Sequence, residues 1–170
     1  MNDTLLNIIK FFLAALLFPV VWVTAILFYE YISDLPGTYG DFFLWGVLGF
    51  LLLFLFIYQF WGVHEFGQRA VAGFFRFLSP INHFLSRIIS FYVTFILLLF
   101  FVVKNFLGTN RYDHYFMFFA GFTLTMHILL TARDLQEQEE SFIKPAYLFV
   151  MVPAFILTIF GVILLLDFPL

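Results

Sequence analysis

The chain has 170 residues, of which 64% are hydrophobic, 24% are aromatic and only 11% are charged, and its formal net charge is −3. Soluble domains carry roughly 25% charged residues, so this composition excludes an ordinary soluble domain and predicts that much of the surface faces lipid. The sequence contains no cysteine, which excludes disulfides, a thiolate nucleophile and cysteine-based zinc or iron–sulfur sites. Because acidic and basic residues are scattered along the chain, no nucleic-acid partner is expected.

Five apolar segments approach the ~20 residues that a helix needs to cross a bilayer. They are residues 11–29, 42–63, 88–103, 115–131 and 146–166. None shows the alternation of a half-buried strand, so we predict helices throughout. The fold class is therefore all-α: a polytopic integral membrane bundle of about five transmembrane helices, forming a single transmembrane domain over residues 1–170. The first segment lacks a basic n-region, so it is interpreted as a retained span rather than a cleaved signal peptide.

The basic residues predict an orientation for these spans. With the N-terminus inside, the cytoplasmic side holds Lys10, Arg69, Arg76, Arg87, Arg133 and Lys144, and the opposite side holds only Lys104 and Arg111. This distribution satisfies the positive-inside rule. We therefore expect a multi-pass protein of the cell membrane, with a cytoplasmic N-terminus and its C-terminus on the opposite side.

The region between the second and third spans, residues 62–86, has a different pattern. Apolar residues recur there at helical spacing, at Phe66, Ala70, Gly73, Phe74, Phe77 and Leu78. Polar residues lie between them, so either the second helix extends past the lipid surface or an amphipathic helix lies at the interface and ends before Pro80. A surface helix whose arginines meet lipid headgroups explains this pattern without any chemistry.

The same region contains half of a zinc motif. In H-E-x-x-H, two histidines four residues apart share one helix face and bind one zinc ion, and the glutamate accepts a proton from the metal-bound water. Here His64 and Glu65 occupy the first two positions, whereas Gln68 replaces the second histidine. An amide is a poor zinc ligand, so the motif supplies one metal ligand, His64, and one candidate general base, Glu65.

A second ligand for such a site would come from elsewhere in the chain. His127 falls in the fourth span, at the depth and on the side where the predicted topology places His64. Asp134, two helical turns later, and His83 in the connecting region are further candidates, whereas His114 falls at the opposite end. Polar residues inside spans are costly, so His127 is expected to have a specific role. That role is either metal binding or an interhelical hydrogen bond, with Thr123, Thr125 or a tyrosine on another helix as its partner.

Residues 63–70, V-H-E-F-G-Q-R-A, resemble the motif helix of the site-2-protease family of membrane zinc metallopeptidases. In that family H-E-x-x-H lies on a transmembrane helix near the cytoplasmic side, and a later helix supplies an aspartate ligand. Residues 118–127, F-F-A-G-F-T-L-T-M-H, are similar to a segment of small relatives of that family. The chain departs from the family at Gln68 and has no N-P-x-x-D-G segment. The resemblance therefore implies a member that has lost zinc catalysis.

Three functions follow from these observations. The favoured one is a non-catalytic integral membrane subunit or accessory protein, which needs no cofactor and contacts the lipid bilayer and other membrane protein subunits. The second is a divergent membrane zinc metallopeptidase, with Glu65 as its base and His64 and His127 among its ligands. The third is a membrane anchor that holds a b-type haem between His64 and His127, since imidazole pairs ligate haem iron inside helical bundles.

Overall fold

The computed structural model describes residues 3–56, 60–78, 82–107, 111–137 and 145–167, without the side chains of residues 3, 4, 82–84, 107 and 145–147. Over these ranges it contains helices and turns but no strand. The helices are α1 (Asp3–Ser33), α2 (Tyr39–Phe56), α3 (Trp61–Phe74), α4 (Asn82–Ile88), α5 (Phe91–Val102), α6 (Asp113–Glu137) and α7 (Pro145–Asp167). A 3-10 turn, Arg76–Leu78, follows α3, and a π-helical turn, Val103–Leu107, follows α5. The predicted all-α bundle is confirmed.

In the part of the chain that the structure describes, four helices are long and apolar enough to span a membrane. These segments are Leu5–Ser33, Tyr39–Phe56, Asp113–Glu137 and Leu148–Asp167. The apolar stretch Phe91–Phe106, which contains α5, is shorter. At 1.5 Å per residue it measures about 24 Å, less than the ~30 Å of a hydrocarbon core. It corresponds to the third predicted segment, which is also the shortest of the five by sequence.

Helices α2 and α6 form the closest interface of the bundle and run in the same direction. The Phe42 ring contacts His114 near the start of both helices, and the Phe50 ring contacts Phe122 further along, with centroid distances of 5.1 and 5.2 Å. Phe50 also packs with Met126 in a second apolar cluster. Both helices therefore bring their C-terminal halves to the same end of the bundle.

Two glycines allow the backbones of α2 and α6 to touch. A Cβ atom on Gly46 would lie 1.9 Å from the Phe118 carbonyl oxygen, and one on Gly121 would lie 2.1 Å from the Phe43 carbonyl oxygen. Small residues allow this approach in lipid, where helix association depends on van der Waals packing and weak Cα–H···O contacts. Each glycine thus presents bare backbone to a carbonyl of the other helix.

Helix α6 lies at the centre of the bundle, whereas α1 lies at its periphery. Half of the apolar window of α6 is buried, against 6% of the corresponding window of α1. Helix α1 packs mainly along α7, and near the ends of these helices the Tyr31 hydroxyl donates to an Asp167 carboxylate oxygen at 2.6 Å. Most of the α1 surface is therefore left for lipid or for another protein.

The second predicted span, 42–63, is wrong in its last residues, which belong to a different helix, and its residues 57–59 lie outside the described residues. Helix α2 ends at Phe56, and a separate helix, α3, begins at Trp61. The Phe60 ring packs against the rings of Phe50 and Phe122, with centroids 5.4 and 6.4 Å apart. The chain at Phe60 therefore lies back beside α2 instead of continuing beyond it, because the half-buried rings of Phe60 and Phe122 pack against buried Phe50. His64 consequently lies on its own helix and not at the end of a long span.

Helix α3 has three distinct faces. The buried face carries His64, Gly67 and Val71, the charged face carries Glu65 and Arg69, and an exposed apolar face carries Val63, Phe66 and Phe74. A helix with one face on the bundle, one apolar face and one charged face fits an interfacial position. Of the two alternatives drawn from the sequence, the separate amphipathic helix is the one observed.

Candidate functional site

The structure brings His64 and His127 together between α3 and α6. Their ring centroids lie 5.8 Å apart, with an angle of 54° between the ring planes. Both side chains are buried, with exposed fractions of 3% and 5%. The two histidines are therefore neighbours in the bundle, and the membrane depth expected for them stays a prediction. His114 lies thirteen residues before His127 on the same helix, about 20 Å away along its axis, and is not part of this group.

His64 forms a hydrogen bond with Gln68 on the next turn of α3. The amide nitrogen of Gln68 lies 3.0 Å from Nε2 of His64. An amide N–H group donates, so Nε2 of His64 is the acceptor and its proton resides on Nδ1. The residue that stands where the zinc motif has its second histidine therefore occupies the lone pair that a metal would use.

His127 holds the end of α4. Its Nε2–H donates to the Arg87 carbonyl oxygen at 3.0 Å, and the Thr158 hydroxyl on α7 donates to the Ile88 carbonyl oxygen at 2.6 Å. The last carbonyls of a helix lack intrahelical partners and need side chains, turns or water. Side chains of α6 and α7 thus satisfy two consecutive carbonyls where α4 gives way to α5.

The hydrogen-bond alternative for His127 is therefore observed with an unexpected acceptor. Thr123 and Thr125, the expected partners, instead donate to carbonyls of their own helix, to Phe119 at 2.7 Å and to Gly121 at 2.8 Å. Sequence spacing could not identify the Arg87 carbonyl as the acceptor, because a backbone acceptor does not require any particular side chain at its position.

Glu65, the candidate general base, lies on the charged face of α3. Its carboxylate accepts from Arg69 at 2.5 Å, and the two side chains are 47% and 76% exposed. Positions 64 and 65 differ by about 100° around the helix, so Glu65 points away from the buried face that carries His64. The structure consequently does not bring Glu65 to the histidine pair.

The surroundings of His64 favour its neutral form. Burial lowers the pKa of His64 to about 4, and the negative charge of Asp134 opposes this effect. Asp134 also lies 3.9 Å from the Arg87 guanidinium, in a pair whose side chains are about one-quarter exposed. His64 is therefore uncharged at neutral pH, with its lone pair shared with Gln68.

The described residues do not supply a full metal-ligand set. Among them, no group of three or more histidine, cysteine, aspartate or glutamate side chains comes close enough to hold a metal ion. Thr131, one turn beyond His127, has a buried hydroxyl without a hydrogen-bond partner in this part of the chain. The side chain of His83 lies outside the described residues. The site is thus a pair of imidazoles.

Tyr92 is a contributor that the sequence analysis missed. Its hydroxyl donates to the Val63 carbonyl at 2.7 Å, and its ring would lie 2.9 Å from a Cβ atom on Gly67. The tyrosine thus lies across α3, in space that only a glycine leaves free. Gly67 was the available signal, since a glycine inside an amphipathic helix often marks the close approach of another group.

Comparison with protein-family models, with curated proteins and with solved structures finds no match to this chain. The resemblance of residues 63–70 to the site-2-protease motif therefore stays a prediction.

Proposed function

We propose that the chain is a non-catalytic integral membrane protein that acts as an accessory subunit of a larger membrane assembly. The observation that carries this proposal is the state of the two imidazoles. Nε2 of His64 accepts from Gln68, and Nε2 of His127 donates to the Arg87 carbonyl. Both atoms that would bind a metal are engaged in hydrogen bonds, one within α3 and one from α6 to the end of α4.

In this proposal the H-E-F-G-Q segment fixes α3 to the bundle. His64 packs against His127, Gly67 admits the Tyr92 ring, and Gln68 holds the His64 ring in one orientation. Buried polar groups that are mutually hydrogen-bonded make one helix arrangement preferable to its alternatives. Neither proton transfer nor metal binding is needed to explain the choice of these residues.

The 5.8 Å between the imidazoles supports the zinc metallopeptidase as a second candidate. With Zn–N bonds of about 2.0–2.1 Å in a tetrahedral site, two imidazole centres lie about 5 Å apart. A small movement together with rotation of the Gln68 amide would therefore give two ligands. Haem is less well supported, because its iron requires two Nε2 atoms that face each other. Here these atoms are directed at Gln68 and at the Arg87 carbonyl.

The exposed apolar surface supports association within the membrane. Only 6% of the apolar window of α1 is buried by the rest of the chain, and Trp22 on this helix is 65% exposed. A lipid bilayer or a neighbouring subunit would cover this face. The proposal retains the predicted orientation, with the N-terminus cytoplasmic and the C-terminus on the opposite side.

Metal and haem analysis of the purified protein tests the non-catalytic proposal. We expect zinc and haem far below one equivalent in the wild type, in His64→Ala and in the matched control His114→Ala. One equivalent of zinc that is lost in His64→Ala but kept in His114→Ala would overturn the proposal and favour the metallopeptidase. A stoichiometric b-type haem band in the reduced visible spectrum would favour the third function.

The accessory role is tested separately, by extraction of the native membrane in mild detergent. The 20.0 kDa chain is expected to migrate within a larger assembly that contains other proteins. A single chain that is free of other proteins and cleaves membrane peptides would contradict this role.

A further inference from the structure

A cavity of about 280 Å³ lies between the start of α5 and the C-terminal half of α7. Its wall is mostly aliphatic, with hydroxyl-bearing residues at Ser90, Thr94 and Thr158. Gly161 leaves part of this space open, since a Cβ atom placed there would meet nothing within 4 Å. This volume is close to the lower end of the range for ligand-binding pockets.

Ser90 is one of the polar residues in the wall of the cavity. The residue is 5% exposed, and its hydroxyl has no hydrogen-bond partner among the described residues. Ser90 has the extended backbone of an N-cap residue of α5, yet its side chain makes no capping bond. Leaving a buried hydroxyl unsatisfied is costly, so a ligand that bonds to it is favoured.

The mouth of the cavity opens at the outer surface of the helix bundle. Leu157 and Leu164 line the cavity and are 43% and 52% exposed. They are seven residues apart, on one face of α7, so that face presents its leucines outward beside the opening.

We propose that this cavity binds one acyl chain of a membrane phospholipid, whose ester carbonyl accepts a hydrogen bond from the Ser90 hydroxyl. The aliphatic wall fits the chain, and the lining has no charged side chain. A free carboxylate would therefore lack a counter-charge, whereas a neutral ester carbonyl needs none. The N-terminal end of α5 also favours the partly negative carbonyl oxygen. Among the described residues that line the cavity, Ser90 alone has a buried hydroxyl without a partner, whereas a bound water molecule needs two to four polar partners.

Photo-crosslinking in vesicles tests this assignment. The full chain would be reconstituted into phosphatidylcholine vesicles containing a small fraction of phosphatidylcholine with a diazirine on one acyl chain. After irradiation, labelled peptides would be identified by mass spectrometry. We expect labelling of residues 88–94 and 157–165 severalfold above that of the exposed helix α1, which contacts bulk lipid and serves as the internal reference.

Two variants distinguish a site from general lipid contact. Gly161→Leu fills the cavity, and Gly73→Leu is the matched control, since a Cβ atom at Gly73 also meets nothing within 4 Å but this residue does not line the cavity. We expect Gly161→Leu to reduce labelling of both segments to the α1 level, and Gly73→Leu to leave it unchanged.

Ser90→Ala leaves the shape of the cavity intact and removes only the hydroxyl. It is expected to weaken labelling severalfold with no change at α1, and equal labelling of Ser90→Ala and wild type would overturn the assigned contact. Uniform labelling of all exposed helices in the wild type, or preferential labelling by a diazirine fatty acid over the phospholipid, would overturn the proposal. Helix content by circular dichroism verifies that each variant is folded.

Discussion

The contact between α2 and α6 makes a sharp prediction for Gly46→Ala. The new Cβ atom would lie 1.9 Å from the Phe118 carbonyl oxygen, about 1.5 Å short of the 3.4 Å at which ordinary contact begins. The neighbouring atom belongs to backbone, so the two helices must separate. A gap of 0.5–1 Å already forfeits a quarter to a half of each van der Waals contact along an interface. We expect a loss of about 3 kcal/mol, at the upper end of the usual cost of overpacking.

Gly49→Ala is the matched control on the same helix. Its Cβ atom would lie 3.3 Å from the end of the Phe118 side chain, which can rotate away. Replacing a helical glycine with alanine gains about 1 kcal/mol of helix propensity, so this variant is expected to be neutral or slightly stabilised. Reversible unfolding by SDS in mixed micelles, followed by tryptophan fluorescence, measures both free energies. Equal stability of Gly46→Ala and wild type would refute the inferred backbone contact.

Three further predictions concern the histidine region. His127→Ala is expected to lower the free energy of unfolding by about 3 kcal/mol in the same SDS assay, from the lost hydrogen bond and the cavity left behind, whereas His114→Ala should lower it less. The pKa of His64 is about 4 in the folded protein and 6.5 when α3 is undocked, so protonation of His64 opposes docking of α3. The free energy of docking is therefore expected to fall by about 3 kcal/mol in total as the pH drops from 6.5 to 4, and to stay constant above pH 7. The neighbouring charge of Asp134 moderates this loss. Hydrogen exchange of the α3 amides at several pH values measures the loss, and exchange protection that does not change with pH would contradict the burial of a neutral His64. Tyr92→Phe removes the hydroxyl that donates to the α3 backbone and should speed exchange of those amides about fivefold, equivalent to about 1 kcal/mol; unchanged exchange would show that this bond contributes nothing.

The sequence predicts the spans well because their signal is local. A run of about twenty apolar residues depends only on composition, and the four long helices lie where such runs occur. The start of α3 as a separate helix does not depend on local sequence, since Phe60 lies back beside α2 through contacts with Phe50 and Phe122. No pattern within residues 42–63 contains that information.

The pairing of His64 and His127 follows from topology, because consecutive spans alternate in direction and bring their ends to defined levels. The partners of these histidines do not follow from the sequence. Gln68 appears as a defect when it is compared with a zinc motif, whereas the structure shows it to be a hydrogen-bond donor. The Arg87 carbonyl is a backbone group, and every residue has one. Side-chain identity therefore indicates where polar groups meet but not which atoms bond.

The tethering of α4 by side chains from α6 and α7 has a consequence for biogenesis. Helix α4 emerges from the ribosome before either His127 or Thr158 has been synthesised, so the Arg87 and Ile88 carbonyls lack these partners during early insertion. Buried backbone groups without partners are costly in lipid. The junction between α4 and α5 would thus remain near water or the insertion machinery until α6 and α7 are in place. Chains truncated before residue 127 should therefore be degraded early in the cell.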